Sequence, residues 1–165
     1  MWYFKYNNMN NNKTKLLFVC LGNICRSPMA EFVMKDIVEK AGLAHLFEIA
    51  SAATSMEEYG NPVYPPARRK LAEHGIDCTG KTSRQITKRD YEYYDYIVAM
   101  DQSNLRNLRR MLGEDTQGKI SLLMDYTSRP ADVADPWYTG DFQATWDDVN
   151  EGCKELLTFI MNKNK

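Results

Sequence analysis

The sequence predicts an α/β fold in three layers, a four-stranded parallel sheet in the order 2-1-3-4 with helices on both faces. Short, uninterrupted apolar runs, typical of strands covered on both faces, alternate along the chain with stretches of helical periodicity. The 165 residues also suit one domain, which can bury about two thirds of the surface that its unfolded chain exposes. Alternating strands and helices with right-handed crossovers give a doubly wound sheet, which binds ligands at the carboxyl ends of its strands.

The sequence predicts the first strand, the loop after it and the first helix most clearly. Residues 16–20 are an apolar run that predicts the first strand. In the helix that follows, Ser27 suits the N-cap and Pro28 suits the first helical position. Gly42 suits the end of that helix.

The same alternation continues towards the C-terminus. Further strands are predicted at residues 47–52, 96–100 and 119–124, and further helices at residues 65–74, 103–111 and 142–160. Gly75 suits the end of the second helix, and the apolar residues of the last helix recur at the spacing of a core-facing stripe. Between the fourth strand and the last helix lies a loop of residues 125–140. Loops of that length in compact domains are often functional.

Composition and charge exclude several classes of function. The formal net charge is -1, from 21 basic and 22 acidic residues without a long block of either sign, so we expect neither a nucleic-acid nor a membrane partner. The polar, asparagine-rich start lacks a signal-peptide core, so we expect a flexible tail at residues 1–14, one domain at residues 15–165 and a cytoplasmic location. The four cysteines and two histidines show no metal-ligand spacing, so we expect no metal and no cofactor.

The segment after the first strand carries a chemical signal. It joins a predicted strand to a predicted helix start, where backbone N–H groups and the helix dipole can hold an anion. Cys20 would act there as a nucleophilic thiolate, and the planar fork of Arg26 would hold two phosphoryl oxygens. Gly22 and Asn23 tolerate left-handed backbone geometry, and Ser27 could hydrogen-bond the sulfur when it becomes the leaving group. The alternative is an inert, buried Cys20 at the end of a strand.

Such a reaction also requires an acid for the leaving oxygen. Histidine is scarce, so a carboxylate in the loop after the fourth strand is the natural candidate. Asp135 precedes a proline that would stiffen this loop, and the next residues, Trp137 and Tyr138, could flank a flat leaving group. Asp125 and Asp132 are rivals on spacing. A turn aspartate beside core aromatics is the structural alternative.

Six separated motifs resemble, in order, those of the low-molecular-weight protein-tyrosine phosphatase family. They are VCLGNICRSP at 19–28, SAATS at 51–55, GNP at 60–62, RQIT at 84–87, AMDQSNL at 99–105 and DPWY at 135–138. The resemblance implies hydrolysis of protein phosphotyrosine and small aryl phosphates through a phosphocysteine on Cys20. It makes Arg26 the clamp on the phosphoryl group and Asp135 the general acid and then base. The expected partner is a phosphotyrosine-containing protein, and the expected state is a monomer.

The same resemblance implies roles for the surrounding residues. Asn23, Ser27 and Ser51 would support the loop. Cys25 is similar to the family's second loop cysteine, so a disulfide with Cys20 could block the nucleophile reversibly under oxidation. The substrate would contact the loop and an aromatic wall, through Leu21, Gly22, Asn23, Ile24, Cys25, Ser27, Trp137 and Tyr138.

Two positions depart from the family. Glu57, which would also contact substrate, stands where eukaryotic members tend to have an aromatic residue on the opposite wall of the cleft. Lys81 or a neighbour stands where some members have a histidine. Both changes bear on substrate preference and loop support. The stretch at residues 61–67 is similar to bacterial members.

Three other functions are compatible with a loop of this shape. An arsenate reductase of the related fold needs two further cysteines, whereas Cys78 has no close partner in the sequence. A protein-arginine phosphatase has threonine where Ile24 stands, and the branched apolar side chain favours phosphotyrosine. A silent phosphate-binding module would have lost the nucleophile or the acid, and Cys20 and Asp135 are both present.

Overall fold

The computed structural model describes residues 12–164 and contains one four-stranded sheet. The strands are β1 (Thr14–Cys20), β2 (Phe47–Ala53), β3 (Tyr96–Ala99) and β4 (Ile120–Leu122). All neighbouring pairs are parallel and the order is β2-β1-β3-β4, which confirms the predicted fold class. Because β1 is paired on both sides and covered on both faces, its apolar run is uninterrupted.

Six α-helices and two 3-10 helices accompany the sheet in this part of the chain. The α-helices are α1 (Arg26–Lys40), α2 (Pro65–Glu73), α3 (Lys88–Tyr93), α4 (Gln102–Leu112), α5 (Pro136–Thr139) and α6 (Phe142–Lys163). The 3-10 helices are Ala44–Leu46 and Leu123–Tyr126. Over these residues no helix is long and apolar enough to cross a bilayer.

The core lies in two layers, one on each face of the sheet. Leu16 and Phe18 pack with α1, α2 and α6, whereas Leu17 and Val19 pack with α3 and α4. This division follows from the strand geometry, since successive side chains point to opposite faces. The result is the three-layer arrangement that the sequence predicts.

The strand register brings the functional segments to one edge of the sheet. Val19 pairs with Ala52 on one side and Ala99 on the other, and Ala99 pairs with Leu122. The four strands therefore end close together. The segments that follow them, distant in sequence, meet at that edge.

The start of α1 differs from the prediction. The helix begins at Arg26, its N-cap residue is Cys25, and no side chain caps it. Ser27 is not the N-cap, because its hydroxyl is used at the sulfur of Cys20 instead. The predicted end of the helix is confirmed, since Gly42 follows it with a φ of 72°.

The structure of the second half of the chain differs from the prediction in three further places. The fourth strand is shorter than the predicted 119–124, because Leu123–Tyr126 turns into a 3-10 helix. The predicted loop of residues 125–140 contains the short helix α5. Helix α3 was missed, although Thr87 and Asp90 form a capping box that signals its start.

The predicted tail, residues 1–14, lies outside the described residues except for its last three. Of these, Thr14 already belongs to β1 and pairs with Phe47. The division into a tail and a domain at residues 15–165 stays a prediction.

Candidate active site

The loop between β1 and α1 is held from outside through its carbonyl groups. Four of them accept hydrogen bonds from other segments: Cys20 from Thr54 N at 3.0 Å, Leu21 from Ser55 N at 3.0 Å, Gly22 from the Ser83 hydroxyl at 2.8 Å and Ile24 from Tyr64 N at 2.9 Å. Asn23 adopts a φ of 56°, which allows the loop to curl. With these carbonyls engaged elsewhere, an anion inside the loop would meet N–H donors.

The sulfur of Cys20 receives hydrogen bonds from the residues that follow it. The backbone N–H of Asn23 lies 3.3 Å from Sγ and that of Ser27 lies 3.4 Å away. The Ser27 hydroxyl is 3.0 Å from the same sulfur. Because Asn23 Nδ2 donates to this hydroxyl at 2.7 Å, the Ser27 O–H is free to donate to the sulfur. Three hydrogen-bond donors therefore converge on this one sulfur atom, and such donors can stabilise negative charge on a nucleophile or leaving group.

A second set of contacts holds Asn23 from below the loop. Its Nδ2 also donates to Ser51 Oγ at 2.9 Å, and Ser51 donates to the buried carboxylate of Glu31 at 2.5 Å. Lys81 Nζ donates to the Ser51 carbonyl at 2.8 Å and pairs with Glu31 at 3.4 Å. Burial lowers the pKa of Lys81, and the attraction of Glu31 opposes that shift. Lys81 thus contacts the residues under the loop and does not line the cleft.

Arg26 is buried and fixed by two acceptors on one nitrogen. Its Nη1 donates to Asp101 Oδ2 at 2.6 Å and to the Val133 carbonyl at 2.9 Å. Burial lowers the pKa of Arg26, but the charges of Cys20 and Asp101 outweigh it and raise the pKa above its ordinary value. The remaining edge, Nε and Nη2, makes one contact within residues 12–164, from Nη2 to Asp135 at 3.4 Å. That edge is available for two phosphoryl oxygens.

Asp135 lies at the start of α5 and faces the same cleft as Cys20 and Arg26. Its Oδ1 accepts the N–H of Trp137 at 3.1 Å, so the carboxylate caps the helix, while Oδ2 faces Arg26. The two rivals are elsewhere: Asp132 accepts the N–H of Gln102, and Asp125 is exposed in a 3-10 helix. Neither rival lines the cleft.

The cleft above the sulfur has an aromatic wall and an acidic rim. Its lining comprises Cys20, Leu21, Gly22, Ile24, Cys25, Arg26, Glu57, Glu58, Asp135, Trp137 and Tyr138. Trp137 packs against Tyr64 with ring centroids 4.8 Å apart, whereas Tyr138 is 80% exposed. The cleft is thus suited to a flat group with its phosphate at the bottom.

The other cysteines differ in environment. Cys25 lines the cleft, and burial together with the charge at Cys20 raises its pKa to about 12. Cys78 and Cys153 are buried in the core, where burial raises the pKa of both thiols. No group of His, Cys, Asp and Glu side chains among the described residues is arranged to hold a metal ion.

The structure brings the predicted site residues together around one cleft, with Asn23, Ser27 and Ser51 beneath it. The sequence did not indicate three residues that hold them, Glu31, Ser83 and Asp101. It also did not indicate Glu58, which lines the cleft. Asp101 lies within the motif at residues 99–105, but nothing in its spacing indicated a contact with Arg26. A Cβ on Gly22 would lie 3.3 Å from the Glu58 side chain, so glycine allows that close approach.

Comparison with known proteins assigns the chain to a family. The profile described as low molecular weight phosphotyrosine protein phosphatase matches residues 15–165. The chain is 40% identical over 152 residues to low molecular weight protein-tyrosine-phosphatase YfkJ of Bacillus subtilis (strain 168), covering 91% of this chain and 97% of that protein. It is 40% identical over 147 residues to the low molecular weight phosphotyrosine protein phosphatase of Gallus gallus, covering 86% and 92%.

Solved structures of similar proteins share the fold of this chain. The crystal structure of YfkJ from Bacillus subtilis superposes with a TM-score of 0.90 at 39% identity, covering 93% of this chain and 98% of that one. The Drosophila arginine phosphatase DARP superposes with a TM-score of 0.82 at 33% identity, covering 89% and 98%. Since the family profile spans nearly the whole chain, this protein belongs to the low molecular weight phosphotyrosine protein phosphatase family.

Proposed function

We propose that this protein hydrolyses phosphotyrosine in proteins, and small aryl phosphates, through a phosphocysteine on Cys20. The observation that carries the proposal is the sulfur of Cys20, which receives three hydrogen bonds at the bottom of a cleft that Arg26 and Asp135 also line. A structural cysteine at the end of a strand would need neither the donors nor the guanidinium.

In the first step the Cys20 thiolate attacks phosphorus and the bond to the tyrosyl oxygen breaks. The Nε and Nη2 edge of Arg26 holds two equatorial oxygens, and the loop N–H groups stabilise the charge that develops on them. Asp135, as the carboxylic acid, gives its proton to the leaving oxygen, so tyrosine departs neutral. The entering phosphate takes over the guanidinium edge that contacts Asp135 in the free protein.

In the second step water attacks the phosphocysteine and the S–P bond breaks. Asp135, now a carboxylate, accepts a proton from that water and returns to its acid form. The electron pair of the S–P bond goes to Cys20, where the Ser27 hydroxyl stabilises the departing thiolate. Inorganic phosphate then leaves. Side chains of the protein supply every group in this scheme, and we propose no metal and no cofactor.

Tyrosine is the preferred leaving group because apolar side chains line the cleft above the sulfur of Cys20. Ile24 and Trp137 both line the cleft, and both offer apolar area to a phenyl ring. Phosphoarginine is the second candidate, since the acidic rim of Glu57 and Glu58 could attract a guanidinium group. We further infer a cytoplasmic, monomeric enzyme of bacterial type that acts on a phosphotyrosine-containing protein.

Turnover of a phosphotyrosine peptide and a phosphoarginine peptide of the same sequence tests the function. We expect kcat/KM to favour the phosphotyrosine peptide, and acid-quenched protein to carry phosphate on Cys20. Cys20→Ser should abolish turnover and still bind vanadate, because the loop and Arg26 remain. Arg26→Lys should be nearly inactive, since an ammonium group cannot make the two-pronged contact. Turnover by Cys20→Ser within tenfold of the unmodified protein would overturn the covalent mechanism, and a preference for phosphoarginine would overturn the substrate.

A further inference from the structure

A second pocket adjoins the proposed active site. Its lining includes Leu21, Thr54, Ser55, Gln85, Asn107 and Arg110, beside the apolar Met111, and we call it the Arg110 pocket. Leu21 also lines the catalytic cleft, so this one side chain separates the two spaces. A chain that places a phosphotyrosine on Cys20 can therefore reach the Arg110 pocket with a neighbouring residue.

The Arg110 pocket is rich in hydrogen-bond donors. Arg110 makes no ion pair with a carboxylate within residues 12–164, and its guanidinium contacts the side-chain oxygen of Asn107. That contact leaves the Asn107 amide N–H groups as donors. Ser55 accepts the N–H of Glu57 at 2.9 Å, so its hydroxyl hydrogen is also free. No carboxylate lines the pocket, in contrast to the acidic rim of the catalytic cleft.

Thr54 supplies a separate indication of a ligand. This residue is 5% exposed, and its hydroxyl oxygen is buried without a hydrogen-bond partner among the described residues. A buried hydroxyl without a partner costs free energy, so its retention requires a reason. The Thr54 backbone is fully engaged, with the N–H bonded to Cys20 and the carbonyl bonded to Gln85. A ligand in the Arg110 pocket that reorients the hydroxyl would give it a partner.

We propose that the Arg110 pocket binds an acidic side chain, Asp or Glu, close to the phosphotyrosine in the substrate protein. A carboxylate matches the single cation and the surrounding donors, and it would be repelled from the rim formed by Glu57 and Glu58. This inference rests on the proposed function, since the phosphotyrosine anchors the peptide. It adds a charge preference that the catalytic residues do not provide.

Kinetics with three phosphotyrosine peptides test the proposal. Their residues within two positions of the phosphotyrosine are all Glu, all Ala or all Lys, and p-nitrophenyl phosphate serves as a substrate without a peptide. We expect kcat/KM to be highest for the Glu peptide. Arg110→Ala should lower kcat/KM for the Glu peptide by up to about fivefold, the range for an exposed charged contact. The same variant should leave the Ala peptide and p-nitrophenyl phosphate unchanged. Arg110→Glu should reverse the preference in favour of Lys.

Two further variants separate this site from general electrostatics. Arg109→Ala removes the same charge from the adjacent residue, which lines a different pocket, and should leave the preference intact. Thr54→Val should keep the rate on p-nitrophenyl phosphate and raise the melting temperature slightly, because it removes a buried hydroxyl without a partner, yet it should reduce the preference for Glu. An equal loss of the preference for Glu in Arg109→Ala and Arg110→Ala would overturn the proposed role of the Arg110 pocket. Equal kcat/KM for the three peptides would overturn it too. No turnover of any phosphotyrosine peptide would instead overturn the proposed function.

Discussion

Arg26 and Asp101 form an ion pair of 2.6 Å between two residues that are 75 positions apart in the sequence. Asp101 follows β3 and caps α4, where its Oδ1 accepts the N–H of Asn104 at 2.7 Å. One carboxylate thus fixes a helix start with one oxygen and the proposed phosphate clamp with the other. The edge of Arg26 that faces the cleft is oriented as a consequence.

Asp101→Asn separates these two roles. Asparagine caps helices about as well as aspartate, so the melting temperature should stay near that of the unmodified protein. The charge that orients Arg26 is lost, and kcat should fall roughly tenfold, the loss of one charged hydrogen bond. Asp101→Ala removes the cap as well and should lower both kcat and the melting temperature. An unchanged kcat in both variants would show that Arg26 does not depend on Asp101.

Asp135→Asn tests the proton donor. If Asp135 protonates the leaving oxygen, the variant should slow phenyl phosphate by roughly 10² to 10⁴, the range for general acid catalysis. It should slow p-nitrophenyl phosphate less, because that anion needs less protonation. Asp132→Asn is the control, since Asp132 bonds Gln102 outside the cleft. Equal, modest losses for both variants on both substrates would leave Asp135 as a helix cap only.

Cys25 should respond to peroxide in a pH-dependent way. After oxidation of Cys20 to the sulfenic acid, Cys25 must lose its proton to attack that sulfur, release water and form the disulfide. Burial is the larger cause that raises its pKa to about 12, and it persists in the oxidised protein. The thiolate fraction, and with it the rate of disulfide formation, should therefore rise by about tenfold per pH unit between pH 7 and 9. Quenched mass spectrometry measures this rate.

Cys25→Ser provides the matched control for that measurement. It should retain most of the phosphatase activity, and after peroxide treatment thiol should restore less activity than in the unmodified protein. Full recovery of the variant would exclude a protective disulfide between Cys20 and Cys25.

Ser51→Ala should reveal the support under the loop. The substitution leaves Asn23 and the buried Glu31 each without one hydrogen bond. We expect the free energy of unfolding to fall by about 2 kcal/mol, and kcat to fall because Asn23 also holds the Ser27 hydroxyl. Ser128→Ala, at an exposed bend, is the control and should change neither quantity. A Ser51→Ala variant with unchanged stability and lower kcat would show that Ser51 acts only by positioning the loop. A variant unchanged in both quantities would show that these hydrogen bonds do not support the loop.

Gly152 should be intolerant of alanine although it lies inside a helix. In an exposed helix, replacing glycine by alanine raises the free energy of unfolding by about 1 kcal/mol. Here the new Cβ would lie 2.5 Å from Leu123 Cγ, in the 3-10 helix after β4. We expect a net loss of about 1–3 kcal/mol in the free energy of unfolding, measured by urea denaturation. Asn162→Ala, in the exposed last turn, is the control and should be neutral or slightly stabilising, because alanine has the higher helix propensity.

A double-mutant cycle identifies the cause at Gly152. If the contact with Leu123 is responsible, Gly152→Ala should cost less in a Leu123→Ala background than alone. Additive losses would point to another cause.

The sequence alone determined the order of the four strands and of the four longer helices, and it placed Cys20 and Arg26 together after the first strand. The apolar run of β1 and the glycines that end α1 and α2, Gly42 and Gly75, are local patterns, which depend on residues adjacent in the sequence. The same holds for Cys20 and Arg26, which lie on one loop and share its short spacing. The family resemblance then implied their roles with Asp135.

Only the tertiary structure decided which distant groups meet at that loop. Four such groups follow different strands or lie on α1: Asp101, Ser83, Glu31 and Lys81. Parallel pairing of the strands brings them within hydrogen-bond reach of the loop or of the residues that support it. Ser27 is likewise a donor to the sulfur and not the predicted helix cap. The Asn23 amide donates to the Ser27 oxygen, which leaves the Ser27 O–H to donate to the sulfur. A hydrogen bond depends on the position of both partners, and the sequence specifies only their separation along the chain.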